Sequence, residues 1–520
     1  MDGSLRAVRG PVLAACLSGA AIGLLSPRTL YSVEIAQVMA GVVTLPPSVP
    51  IAIHHGRVFS IVIDAAALLL ALGLSDEMVC RIFTALMGSL AYISLSVAAF
   101  AFTRSRTAAY LMPWLMYGYN LGADAHRYPI HLPITQGDLG PNGLTAALLA
   151  VGLIALRAPA GALLLGLLPA VHASWAVGIW LLVAAGVCVD REARIWLLRQ
   201  RWRFATGLGL TAVAWMVHQL LAPSFPSGPE SVDLRLVRAF MRYGDHHRAP
   251  LDLEGIGAWL WAFAPDIAFF ALAGASLATP FARRLGVRFW LAGAFAMSIA
   301  ALGNSLVDQI APGALPVPVA ALMMSRWLNF NTVVMPSLAI GLLWHLTGST
   351  QRAWLRTPAA RMLACAVAAL PVAPALLHRL DQPFRNNFGP AEERTLLQQV
   401  GQRPGLLLSP PELRFGQLRT RRALLIDVTL IDVLPYAPAA SAAMEAILND
   451  VYGASLLTPE GLERLEHVEA RWVAMSEGEW VDLGRRYGVT DILVPVAWKA
   501  LSLPLVATAG ELALYSIPSP

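Results

Sequence analysis

Apolar runs recur along the chain at lengths that suit a bilayer rather than a globular core, separated by short polar loops. The pattern predicts eleven spanning helices, over residues 10–26, 80–103, 107–122, 141–157, 159–172, 173–189, 205–221, 256–279, 287–304, 327–346 and 360–378. The loops between them alternate in character. One set is basic: Arg6 and Arg9, Arg104 and Arg106, Arg157, Arg191 to Arg203, Arg283, Arg284 and Arg288, then Arg352, Arg356 and Arg361. The other set is rich in His, Asp, Tyr and Pro. Positive charge is retained on the cytoplasmic side during insertion, so the basic loops are placed inside and the polar loops outside. The N-terminus then lies inside, and an odd number of spans carries the C-terminus out.

Residues 58–74 are apolar enough to cross, but a crossing there would invert every later basic loop. They are read instead as a juxtamembrane helix on the outer side. That reading also spares Asp64 a lipid-facing position, which costs roughly 3 kcal/mol or more. From about Arg379 the pattern changes to charges of both signs with short β-type runs at 406–408, 423–428, 492–496, 505–507 and 512–517. Helical stretches at 438–451 and 460–474 lie between them. The expected fold is therefore an α-helical polytopic membrane protein, residues 1–378, with a small extracytoplasmic α/β domain, residues 379–520.

Composition supports this division. The 520 residues are 57% hydrophobic and 14% charged, values outside the range of soluble domains. The net charge of +5 resides in the inside loops, with no basic stripe interleaved with aromatics, so no nucleic-acid partner is expected. Cys16, Cys80, Cys188 and Cys365 have no ligand-type neighbours and suggest neither a disulfide framework nor a zinc site.

Chemistry gathers on the outer side, where ten of the eleven histidines fall. Glu34, Asp64 and Asp124 are candidate acids or bases. Arg57, Arg248 and Arg326 are candidates for a phosphate, which arginine binds through paired hydrogen bonds. His54, His55, His126, Asp245, His246 and His247 form a candidate polar or metal site. A divalent cation, Mg or Mn, would be held through Asp124, His126 or Asp245, and the chemistry does not require one. Carboxylates, histidines and arginines together suit a reaction with a phosphate leaving group at the membrane surface.

The first hundred residues resemble the GT-C superfamily of membrane glycosyltransferases, in its branch of protein O-mannosyltransferases and lipid A aminoarabinose transferases. The matching pieces are Tyr31-Ser32-Val33-Glu34-Ile35-Ala36, Pro46-Pro47, Gly73-Leu74-Ser75-Asp76-Glu77 and the span opening Arg81-Ile82-Phe83-Thr84-Ala85-Leu86-Met87-Gly88. The resemblance implies a bacterial inner-membrane enzyme. It would take a sugar from a polyprenyl-phosphate donor to an envelope acceptor outside, with Glu34 activating the acceptor hydroxyl. The family has Asp-Glu in the first loop where this chain has Val33-Glu34, so the acid role falls to Glu34, with Asp64 and Asp124 as alternatives. A non-catalytic membrane protein that binds or moves a lipid-linked glycan or another envelope component is the other reading. Convergence of the outer acids, histidines and arginines on one cavity separates the two.

Overall fold

A computed structural model describes residues 3–25, 28–118, 130, 132, 138–223, 232–245, 255–284, 286–311, 313–349, 357–359 and 388–518. The predicted span at 360–378 lies outside them. The membrane part begins with α1 (Gly3–Leu25), α2 (Tyr31–Met39), α3 (Ala52–His55), α4 (Ile61–Ala71), α5 (Asp76–Thr103), α6 (Arg106–Gly118), α7 (Leu139–Ala155) and α8 (Pro159–Val171). It continues with α9 (Ala173–Val189), α10 (Arg191–Arg199), α11 (Arg201–Leu221), α12 (Leu234–Tyr243), α13 (Gly255–Ala262), α14 (Ala264–Leu277), α15 (Val287–Ile310), α16 (Val317–Ala321) and α17 (Asn329–Ser349).

Among the described residues, five helices are long and apolar enough to cross a membrane, those within 7–25, 76–103, 201–221, 287–310 and 317–347. A sixth counts if α9 and α10, bent by 120° at their junction, form one span. Four more apolar helices, α4, α7, α8 and α14, are shorter. The predicted span at 256–279 is broken at Phe263, just before Pro265 in the first turn of α14. Proline has no N–H to continue a helical ladder, so the break falls where the sequence permits it.

The helices pack through small residues. A Cβ added at Gly19 would stand 2.4 Å from the Gly88 carbonyl oxygen, and one at Gly23 would meet the Ala85 backbone at 2.5 Å. This Gly-x-x-x-Gly pair brings the α1 and α5 backbones together, as close packing between apolar helices demands.

Among the described residues, three basic loops lie at one end of α5 and polar segments lie at the other. At one end, burial and then the neighbouring charges of Arg284 and Arg157 lower the Arg104 pKa, so three basic loops gather there. Arg157 also reaches Asp190 at 3.4 Å. At the other end of α5, a helix of 28 residues and about 42 Å, Asp76 pairs with Arg421 of the C-terminal region at 2.6 Å. The C-terminal end of α1 is on this face too, since Arg81 Nη1 donates to the Leu24 carbonyl at 2.8 Å. Everything between α1 and α5 therefore starts and ends on one face. Within it α4 is an 11-residue helix of about 16 Å, half a bilayer core, and falls short of the helices long enough to cross.

The C-terminal domain contains α18 (Ala391–Gly401), β1 (Leu406–Leu408), α19 (Gly416–Thr420), α20 (Ser441–Ile447), α21 (Pro459–Glu463), α22 (Val468–Ala474), α23 (Glu477–Tyr487), β2 (Val489–Pro495), β3 (Leu505–Ala509) and β4 (Leu512–Ser516). The sheet runs β1-β2-β4-β3, with β1 parallel to β2 and the other pairings antiparallel. The expected strand at 423–428 is reduced to a single bridge from Leu424 to Leu407. Its neighbour β1 is three residues long and offers no longer ladder, and the chain coils into a 3-10 helix at Val428–Val433.

One hydrophobic core joins this domain to three loops predicted to lie outside. Val43, Leu45, Val49 and Ile51 of the first loop, Leu236, Val237 and Phe240 of α12, and Val317 and Ala320 of α16 pack with Ile431, Val433, Leu434 and Met444. A second core sets Val33 and Ala36 of α2 and Ile63 and Ala66 of α4 against Leu418 of α19. Polar ties complete the docking: Gln37 Nε2 donates to the Leu418 carbonyl at 3.1 Å, and Gln417 Nε2 donates to the Glu34 carbonyl at 3.0 Å.

Candidate functional site

The α2 helix begins at Tyr31 and places Tyr31 and Glu34 three residues apart, one turn along the same face. Its remaining face carries Val33, Ile35 and Ala36 into apolar packing, which drags Glu34 to 1% exposure. Both carboxylate oxygens of Glu34 are buried and find no hydrogen-bond partner among the described residues. Burial, and then the charge of Asp427, push its pKa well above the ordinary 4.5. The Tyr31 hydroxyl is also buried without a hydrogen-bond partner among the described residues. Its pKa is raised by burial first, then by Glu34, Asp427 and Asp432.

The short α3 presents His54 and His55 to the same place. Tyr31 stacks on His54 with centroids 6.4 Å apart and planes 7° from parallel, and meets His55 edge-on at 6.2 Å. His55 Nδ1 donates to the Ile51 carbonyl at 3.1 Å, which leaves Nε2 as a bare acceptor, buried and unpartnered among the described residues. Burial lowers His54 to about 3, helped by His55, and lowers His55 to about 4. Both rings are neutral at neutral pH.

From His54 the series continues to Tyr436 of the C-terminal domain, 6.3 Å away ring to ring, and from the Tyr436 hydroxyl to Arg326 Nη2 at 3.5 Å. Arg326 is 4% exposed and donates from Nη1 to His172 Nε2 at 3.0 Å. Several local features fix it there. Met323 adopts a left-handed backbone, φ 48°, that starts the 3-10 turn Met324–Leu328. Non-glycine residues hold such a conformation only when their surroundings dictate it. Trp327 is buried against Gly178 of α9, where a Cβ would stand 2.8 Å from the indole. The Asn329 side chain donates to the Arg326 carbonyl at 2.8 Å.

A chain of contacts thus runs from Tyr31, one turn from Glu34 on α2, through His54 and Tyr436 to Arg326, with His55 against Tyr31. Other predicted residues lie elsewhere. Asp64 is half-buried and accepts a hydrogen bond from His218 Nδ1 of α11 at 2.7 Å. Its place is a tie between the juxtamembrane helix and α11. Arg57 is exposed beyond the end of α3, and Asp245 is buried at the end of α12. Asp124, His126, His246, His247 and Arg248 lie outside the described residues. Among the described residues, no group of three His, Cys, Asp or Glu side chains is placed to hold a metal ion.

Sequence reasoning missed Asp427, Asp432 and Tyr436. They sit in a domain that reads as a cap, and no local spacing ties them to residue 34. It also missed Asp266 of α14, which accepts from Asn331 of α17 at 3.2 Å, while Asn331 reaches Ser298 of α15 at 2.6 Å. Asp266 could have been found by the same rule that drew attention to Asp64, an acid inside an apolar run.

The fold defines a class: a mostly α-helical protein with, among the described residues, five helices long and apolar enough to cross a membrane, and a small C-terminal α/β domain packed on the segment between α1 and α5. No protein-family model and no curated protein matches the chain.

Proposed function

We propose that the protein is a membrane glycosyltransferase of the GT-C type. It moves a sugar from a polyprenyl-phosphate donor to an acceptor on the face that carries the C-terminal domain. The eleven-span topology in a bacterial inner membrane, N-terminus inside and C-terminal domain outside, belongs to the same proposal. The observation that carries it is a set of buried polar atoms with no partner among the described residues, Glu34 Oε1 and Oε2 and the Tyr31 hydroxyl on α2 and His55 Nε2 on α3, where the Tyr31 and His55 rings meet edge-on. Each such atom costs about 1–3 kcal/mol unless something satisfies it. A polyhydroxylated sugar and an acceptor hydroxyl carry the groups that would.

In this reading the acceptor oxygen attacks the anomeric carbon as Glu34 takes its proton. The bond from that carbon to the phosphate oxygen breaks, and the electron pair leaves with the phosphate. A carboxyl with a raised pKa is a stronger base once ionised. Arg326, buried and held by His172, would face the charge that develops on the departing phosphate.

The test uses membranes containing the protein, incubated with polyprenyl phosphate bearing a labelled sugar. Label should leave the lipid fraction with the wild-type protein. Glu34→Gln should slow that transfer on the order of 10²–10⁴-fold, and Arg326→Ala should raise the KM for the lipid. If label stays on the lipid while both variants alter its binding, the protein is a carrier or binder of the lipid-linked sugar instead.

A further inference from the structure

Apart from the series that runs from Tyr31 to Arg326, the C-terminal domain holds a cavity of about 420 Å³ whose lining includes Arg464, His467, Arg471 and Glu479. That volume falls in the range of small-ligand sites, roughly 300–1,000 Å³. The cavity shares no lining residue with the Tyr31–Arg326 series. The helix α21, which leads into Arg464, lies against the end of α12, since a Cβ at Gly244 would stand 2.7 Å from Leu462 Cδ1. The cavity therefore flanks one of the contacts that dock this domain on the membrane part.

Local structure builds the cavity. The wide helical turn Leu448–Tyr452 ends at Gly453 in the left-handed region, φ 65°. The last carbonyls of a helix are unpaired and attract cations. Arg471 Nε donates to the Val451 carbonyl at 3.1 Å, and its Nη2 donates to the Asp450 carbonyl at 2.6 Å. Arg464 Nη1 donates to the Gly453 carbonyl at 3.2 Å. Glycine at 453 also makes room, because a Cβ there would stand 2.9 Å from Arg471 Cδ and 3.3 Å from its Nη1. One turn thus anchors both guanidinium groups, and each has further N–H donors for a ligand. Anchoring them in advance lowers the entropy lost when a ligand binds.

We propose that this cavity binds an anionic sugar, a sugar phosphate or a sugar acid, and that it docks the acceptor of the transfer reaction. The acceptor role rests on the transferase reading; the binding does not. Arginine meets a phosphate or carboxylate through paired hydrogen bonds, and Arg464 and Arg471 line the cavity together. His467 adds an imidazole beside them. Glu479 does not cancel this charge. Its Oε2 accepts from the Ser476 N–H at 2.7 Å and from the Ser476 hydroxyl at 2.8 Å, in the capping box that opens α23. Ala470, Ala474 and Met475 give the cavity an apolar wall for the C–H face of a sugar ring.

The experiment has two arms on the full-length protein in detergent. The first measures binding by ligand-detected NMR, with glucose 6-phosphate, glucuronate and uncharged glucose as probes and inorganic phosphate as competitor. Both charged sugars should bind saturably, and glucose should bind about tenfold or more weakly. Inorganic phosphate should displace the charged sugars only at higher concentration than glucose 6-phosphate does. Arg464→Gln should weaken the charged sugars about tenfold or more, as the loss of a hydrogen bond to a charged group implies. Arg485→Gln, the same charge change at an exposed position outside the cavity, should leave binding unchanged. Ala470→Trp, at an exposed position in the lining, should abolish binding by filling the space with no change of charge. Melting temperatures confirm that each variant is folded. The second arm measures transfer from the labelled lipid. Glucose 6-phosphate should slow transfer by the wild-type protein, and Ala470→Trp should be slow without it and insensitive to it.

Glucose that binds as tightly as the charged sugars overturns the site, and so does equal weakening by Arg485→Gln and Arg464→Gln. Binding that survives in a folded Ala470→Trp overturns the cavity as its location. Inorganic phosphate as strong as glucose 6-phosphate overturns the sugar as ligand. Charged sugars that bind without slowing wild-type transfer overturn the acceptor role. If they bind as expected but the wild-type protein transfers nothing, the transferase reading fails and the cavity stands as a binding site for anionic sugars.

Discussion

Glu34 is a residue whose burial opposes its ionisation, and this has a consequence for stability as well as for chemistry. Its folded pKa lies above the ordinary 4.5, so its favourable contribution is complete below that pH and is lost as pH rises through the folded value. Replacing it with the isosteric, uncharged glutamine removes the loss. Glu34→Gln should therefore melt at a higher temperature than wild type at about pH 8, with little difference at about pH 4. Intrinsic tryptophan fluorescence on heating in detergent reads this directly, and equal melting curves at both pH values would count against a buried, unpartnered carboxyl. His54 and His55 act in the opposite sense. Their folded values of about 3 and about 4 lie below 6.5, so stability is present above 6.5 and lost as pH falls toward those values. At this scale the sequence was informative about which residue types lie on the polar face, because charge and histidine segregate between loops. It was silent on Asp427 and Tyr436. Asp427 sits in an apolar run that reads as a strand, and nothing local distinguishes an acid at a strand end from one at a site.

Elements meet the site through two kinds of contact that differ in strength. The ion pairs Arg421–Asp76 and Arg394–Glu77 hold the C-terminal domain to the first turn of α5, but their arginines are 45% and 40% exposed. Solvent screening limits each to about 1 kcal/mol or less. The apolar core shared by the first loop, α12 and the segment from Ile431 through α20 is buried and larger. Arg421→Ala should therefore leave the domain docked, whereas Ile431→Asp, which buries a charge in that core, should release it. Limited proteolysis between the membrane part and residue 391 reads the difference, and equal cleavage of both variants would contradict it. The α1–α5 crossing makes a sharper case. Gly19→Leu places its side chain against the Gly88 backbone, which has no rotamer to shift. The folded yield should collapse, while Gly274→Leu, at a position with open space, should be tolerated. The long helices and the strands at 406–408, 492–496, 505–507 and 512–517 were legible from periodicity. The end of α9 at Val189 was legible too, whereas the break at Phe263 was not, because the apolar run continues across it and only Pro265 marks the stop.

Across the whole molecule, the sequence conveyed the grouping of three basic loops apart from the polar first loop. Arg104, Arg157 and Arg284 gather at one end of α5, and the first loop, α12 and α16 pack with the C-terminal domain at the other. Reporter fusions placed after Arg203 and at the C-terminus should report opposite sides of the membrane; the same side for both would refute the topology. What the sequence could not convey is the closure of the site. The Gln417–Glu34 contact joins positions 383 residues apart, and only the folded chain sets it. The central claim is that this closed site transfers a sugar with Glu34 taking the proton. Its most direct test is mass spectrometry of envelope glycans from cells lacking the protein, complemented with wild type or with Glu34→Gln at equal membrane levels. The expected result is a sugar modification restored by wild type and absent with Glu34→Gln. Restoration by both, or by neither, would contradict the claim.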